Sequence, residues 1–209
     1  MIPLRTKILS SLLLALTTLS AHEHWLITDF PQYAQQDSIT IRLRSGHTPG
    51  KSEFLIKTDL IQESFLMGPD GKQSPLDFLP HEKEHICTFL GVQPGIYTVY
   101  VNLRKRSKGP FTYLLKTTLQ VGDLTRSESS TLPQELEIVN GNSELILQVS
   151  TLGQPMKVPI SSMSEDQAIH SLTMNSNGVS TLDPDQIGFH VAICHFRRQA
   201  ASYSFYLGQ

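Results

Sequence analysis

The sequence predicts an all-β chain of two immunoglobulin-like or prealbumin-like β-sandwich units behind a cleaved export signal. Three observations carry that prediction. Apolar residues recur with a period of two, the breaks between them are hairpin-type turns, and no segment holds a helical stripe. Positions 38–44 are the clearest strand, with Ile39, Ile41 and Leu43 on a core face and Thr40, Arg42 and Arg44 on a wet one. Strands of the same kind are expected at 65–67, 86–90, 96–102, 113–121, 145–149, 171–174 and 189–196. Gly68-Pro69-Asp70-Gly71, Gln93-Pro94-Gly95, Asn140-Gly141-Asn142 and Asn175-Ser176-Asn177-Gly178 punctuate them as turns. The hydroxyl-rich, unpatterned stretch 124–133 reads as a surface connection. It divides the chain into a signal (1–21), an N-terminal sandwich (22–123), a linker and crossover (124–142) and a small C-terminal sandwich (143–209).

At the start, Arg5 and Lys7 precede an apolar run over 8–19 that is too short to span a bilayer, and Ala21 offers a small residue for cleavage. Cutting after Ala21 leaves 188 of the 209 residues and makes His22 the first. Cutting after Ser20 instead, which the bulk of Leu19 leaves open, puts Ala21 first. A mature chain beginning at His22 carries an α-amino group beside two imidazoles, all nitrogen donors that a divalent transition metal takes near neutral pH. Two arrangements are then possible. In one, the amine and ring of His22 chelate together and a distant side chain completes a T-shaped or square set suited to Cu(II) or Ni(II). In the other, the amine, two deprotonated backbone nitrogens and the imidazole of His24 form a planar four-nitrogen set. The competing reading is a polar, fraying strand start anchored by Trp25 and Leu26.

Charge excludes one class of partner. Without Arg5 and Lys7 the chain has 15 basic residues against 19 acidic ones, so nucleic acid is not expected. No further apolar stretch reaches spanning length, and no cysteine near the cleavage point offers a lipid attachment. A soluble product outside the cytoplasm, periplasmic or secreted, is expected. Cys87 and Cys194, 107 positions apart, are read as two buried thiols. A bridge between them would be worth about 4–5 kcal/mol in the chain-entropy account.

His81-Glu82-Lys83-Glu84-His85 matches the H-E-x-x-H pattern of zinc proteases, whose chemistry needs a helix to stack both histidines on one face. Ile86-Cys87-Thr88-Phe89 reads as strand immediately afterwards, so a charged surface loop is expected instead. Arg104-Lys105-Arg106 with Lys108 reads as a solvated hairpin tip, and the isolated His170 and His190 as structural or solvated. No Ser/His/Asp order, phosphate loop or carboxylate pair points to catalysis, and no enzyme is expected.

Several short motifs resemble one family. Ala21-His22 followed by Trp25-Leu26, a strand closing in Gly46-His47, and the turn Pro94-Gly95-Ile96-Tyr97 are similar to the start and middle of a group of exported β-sandwich proteins. That group is known as a domain of unknown function and was formerly labelled the NikM subunit of a nickel transport complex. Lys116 to Gly122, Leu136-Glu137-Ile138-Val139 with 145–155, and Asn175 to Gly178 extend the resemblance over nearly the whole mature chain. Asn140 stands where the family has proline, and Gln154 where it has lysine. The resemblance implies a metal-binding accessory to uptake, holding Ni(II), or else Co(II) or Cu(II), and working with a membrane permease. It implies His22 and His47 as ligands, with His195 a looser match. The alternative from the residues alone is a non-catalytic structural or adhesive sandwich without metal.

Overall fold

The computed structural model describes residues 22–105, 111–123, 137–140, 146–165, 167–183 and 187–207. The signal segment, the tip of the basic run from Arg106 on, and most of the expected linker lie outside them. The strands are β1 (Glu23–Thr28), β2 (Gln32–Tyr33), β3 (Ser38–Gly46), β4 (Ile61–Met67), β5 (Gln73–Pro75), β6 (Leu79–His81), β7 (Glu84–Leu90), β8 (Gly95–Lys105) and β9 (Phe111–Val121). They continue as β10 (Glu137–Asn140), β11 (Ile146–Thr151), β12 (Gln154–Met156), β13 (Ile160–Ser164), β14 (Gln167–Ser171), β15 (Val179–Thr181), β16 (Gly188–Phe196) and β17 (Gln199–Leu207). The 3-10 turn Thr58–Leu60 precedes β4.

The all-β class holds, and the sheets pack face to face as sandwiches. Among the described residues they form a four-stranded sheet β1-β3-β7-β6, a nine-stranded sheet β14-β13-β16-β17-β9-β8-β4-β5 with β2 also on β9, and a small sheet of β10, β11, β12 and β15. The two expected units share the middle sheet, because β17 pairs in parallel with β9, from Gln199↔Thr112 to Ser204↔Thr117. Period-two alternation then gives each central strand two apolar faces. On β8 and β9, Tyr97, Val99, Val101, Tyr113, Leu115 and Leu119 meet Leu26, Ile39, Ile41 and Leu43 in a first core. Tyr100 and Leu114 turn the other way, joining Leu147, Val149, Cys194, Tyr203 and Phe205 in a second.

Cys87 belongs to the first core and Cys194 to the second, both as free thiols, and burial pushes the Cys194 thiol up to about 12. A strand expected at 171–174 lies earlier, as β14, and Met174 keeps only a bridge to Ser180. The Asn175 turn supplies the reason: Asn175 Oδ1 accepts from the amides of Asn177 and Val179, which curls the chain there.

Strand β1 is covered on both sides. Leu26 enters the first core, whereas Trp25, fully buried, packs with Met163, Phe189, Val191 and Ile193 in a third cluster formed with β13 and β16. Truncating such a tryptophan costs about 3–5 kcal/mol. The start of β1 is therefore held from two directions.

Candidate metal centre

Register brings the first histidine to the second. β1 and β3 run antiparallel with Glu23 opposite Gly46 and Leu26 opposite Leu43. One further step along that ladder sets His22 against His47, and directly opposed residues share a face. Their rings lie 4.8 Å apart between centroids in an edge-to-face arrangement, and Phe54 sits against the other side of His22 at 4.3 Å. With donor nitrogens about 2.0–2.1 Å from an ion, two imidazoles that share it have centroids on the order of 4.5–6.5 Å apart, which includes this spacing.

The loop after β3 returns to the same place. Glu53 donates its amide to the Ser45 carbonyl at 2.9 Å, and the Ser52 hydroxyl bonds the Lys83 carbonyl at 2.7 Å while accepting from the Ser45 amide at 3.3 Å. The Glu53 side chain then crosses Gly46, where an added Cβ would meet its Cγ at 3.0 Å. A side chain at position 46 would press on that path and require Glu53 to shift. Glu53 reaches His47, accepting from Nδ1 at 2.7 Å and from the backbone amide at 3.1 Å. The side-chain bond and then the backbone bond hold the Glu53 carboxyl below its ordinary value. A neutral imidazole that gives Nδ1–H to a carboxylate presents its lone pair at Nε2, the usual way an acceptor orients a metal-binding histidine.

His24 and His195 go elsewhere. His24 is buried two positions further along β1, with Nδ1 bonded to Ser45 Oγ at 2.7 Å and its ring 5.2 Å from Tyr113. The planar set built on His24 needs residues 22–24 to wrap around an ion, but Glu23 and His24 are extended in the β1–β3 ladder. His195, half-exposed near the end of β16, bonds Glu23 Oε1 through Nε2 at 3.1 Å. Tyr113 donates to Glu23 Oε2 at 2.7 Å. Of the four histidines predicted as ligands, the structure brings His22 to His47 and places His24 and His195 in a hydrogen-bonded group around Ser45 and Glu23. Sequence reasoning did not find Phe54, Ser45 or Tyr113. Tyr113 carries no local signal, since alternation in its strand marks it only as core.

The zinc-protease pattern is a hairpin. β6 and β7 pair with His81 opposite Glu84 and Pro80 opposite His85, turning through Glu82 at φ 51°. His81 is exposed. His85 is fully buried, with Nε2 3.2 Å from Thr58 Oγ1, and burial lowers its pKa. Glu84 is taken by Arg44 at 2.6 Å and Arg42 at 3.3 Å. Among the described residues, no group of three or more His, Cys, Asp or Glu side chains could hold a metal ion. A chelating N-terminal histidine needs only two side chains, because its third donor is a backbone nitrogen.

No protein-family model matches the chain, and no curated protein does. The resemblance to the nickel-transport family therefore rests on the quoted motifs. Among solved structures, a DUF4785 family protein from Legionella pneumophila is similar at 11% identity and TM-score 0.39, with 88% of this chain and 56% of that one covered. Fibronectin(III)-like modules of Clostridium thermocellum CbhA match at 12% identity and TM-score 0.25, covering 88% of this chain and 94% of theirs. The Escherichia coli adhesin FdeC matches at 14% identity and TM-score 0.28, covering 90% of this chain and 64% of its own. This chain thus spans little more than half the length of the first of these. At such scores the likenesses carry no functional argument.

Proposed function

We propose that this protein is exported, cut after Ala21 and binds a divalent transition metal through the amine and ring of His22 with the ring of His47. The single observation that supports this is the edge-to-face approach of those two rings at the paired ends of β1 and β3, with Glu53 on Nδ1 of His47. The donor set fits the ion. One five-atom span of His22 supplies both an amine and an imidazole, and a second imidazole completes the three-nitrogen, open-sided arrangement that Cu(II) and Ni(II) accept. Bound there, the metal would supply an exchangeable coordination position. The chain's own part is to hold nitrogens, fix the His47 tautomer through Glu53 and shield one side of His22 with Phe54.

In this reading the protein is a periplasmic accessory to metal uptake, handing Ni(II), Co(II) or Cu(II) to a membrane permease, and it performs no catalysis. Mass analysis of the exported chain should give a start at His22. Calorimetric titration with each of the three ions should then show binding. That binding should weaken, when Ala21 is retained, by more than the roughly 10- to 100-fold that loss of an outer partner costs. A different first residue, or equal affinity with Ala21 in place, would return the protein to the structural or adhesive alternative.

A further inference from the structure

Residue 22, once it is the first residue, has its only covalent link through Glu23, and chain ends ordinarily fray. Glu23 does not sit like a chain end. It is 7% exposed, its carboxylate accepts from Tyr113 on β9 at 2.7 Å and from His195 on β16 at 3.1 Å, and its carbonyl accepts from Ser45 Oγ on β3 at 3.3 Å. Three strands of two sheets therefore converge on one residue. Packing alone does not ask for an acid here. The same face of β1 continues with Trp25 and Ile27 against β16, where an apolar residue would bury without cost. A buried carboxylate is costly unless its oxygens are satisfied.

We infer that Glu23 is the positioning residue of the metal centre: pinned through both carboxylate oxygens, it fixes the backbone nitrogen of His22 at the His47 end of β1. This rests on the reading of the centre given above. A carboxylate held by two fixed donors has one direction, so the Cα of residue 23 and the nitrogen before it are fixed in register. The β1–β3 ladder already sets the register, and an apolar side chain would lack this additional tie to β9 and β16 at the very end of the strand. Chelation tolerates about 0.5 Å of misplacement, and ordering a loose terminus on binding would be subtracted from affinity. His195 acts through Glu23, one residue away from the ion.

The test uses the mature full chain beginning at His22, with Cu(II) as probe. Glu23→Gln keeps the side-chain volume and removes the charge. Affinity should fall roughly 10- to 100-fold, and the electron paramagnetic resonance spectrum should split into more than one copper species. Tyr113→Phe, which deletes one hydrogen bond, should move both in the same direction by less, and it decides alone if Glu23→Gln does not fold. Tyr206→Phe is the structural control, since its hydroxyl bonds the Thr28 carbonyl at 2.8 Å at the far end of the same strand. It should lower the melting temperature and leave affinity and spectrum unchanged. The positioning role is overturned if Glu23→Gln and Tyr113→Phe bind copper as the parent does, or if Tyr206→Phe weakens binding equally. His22→Ala separates the two ideas. Lost binding there with a silent Glu23→Gln removes only the positioning role, whereas retained binding removes the centre itself.

Discussion

The hairpin at His81–His85 packs two histidines into five positions and holds them apart, whereas His22 and His47, twenty-five positions apart, meet ring to ring. In the hairpin, the turn at Glu82 leaves His81 in water while His85 is buried. At the start of β1, an antiparallel register converts a long separation into a shared face. Ligand spacing in a sequence has meaning only through the secondary structure that carries it, and in an all-β chain the relevant spacing is measured across the ladder.

The largest expected contrast between the regions comes from single histidine replacements. His47→Ala should reduce Ni(II) and Cu(II) affinity by more than 100-fold, because it deletes a donor and not an outer partner of one. His81→Ala should leave binding unchanged and stability within about 0.5 kcal/mol, as for other exposed substitutions. Equal losses in calorimetric titration would erase the contrast. A smaller effect is expected from the backbone. Gly46→Ala places a Cβ against Glu53 Cγ and should displace the carboxylate from His47, costing roughly tenfold in metal affinity with little change in melting temperature.

The smallest effect belongs to the hairpin and concerns pH. His85 Nδ1 has no hydrogen-bond partner among the described residues, and burial lowers the pKa of the ring. The unfolded chain therefore takes the proton first, at about pH 6.5. The stability linked to His85 is complete above that value and is lost as pH falls through the lowered folded value. Melting temperature should drop by a few degrees between pH 7 and pH 5, and His85→Phe should flatten the slope. Glu23 shifts in the same direction, but its window lies below the ordinary carboxylate range. A slope that survives His85→Phe would place the proton uptake elsewhere.

Much of this was legible in the sequence and some was not. The alternation of Ile39, Ile41 and Leu43 identified β3 and its core face, and the apolar run after His85 argued against a helix through the H-E-x-x-H pattern. The pairing of β1 with β3 was not legible, since nothing local in Glu23–Thr28 or Ser38–Gly46 states which strand each will meet. Tyr113 likewise reads as core, and its hydroxyl has a role only once Glu23 arrives from ninety positions away. The same limit hid the shared sheet. A hydroxyl-rich stretch after residue 123 suggests two separate units, while the parallel pairing of β17 with β9 is a long-range event with no sequence signature of its own.

That pairing also sets an order of assembly. His22 is made well before Gln199–Leu207, yet Trp25 seats against β16 and Glu23 against His195 only after both segments are present. Until then Thr112–Thr117 of β9 lack their β17 neighbour, an unpaired edge that favours premature association. The start of β1 is thus completed only when β16 and β17 have arrived, however much earlier it is made.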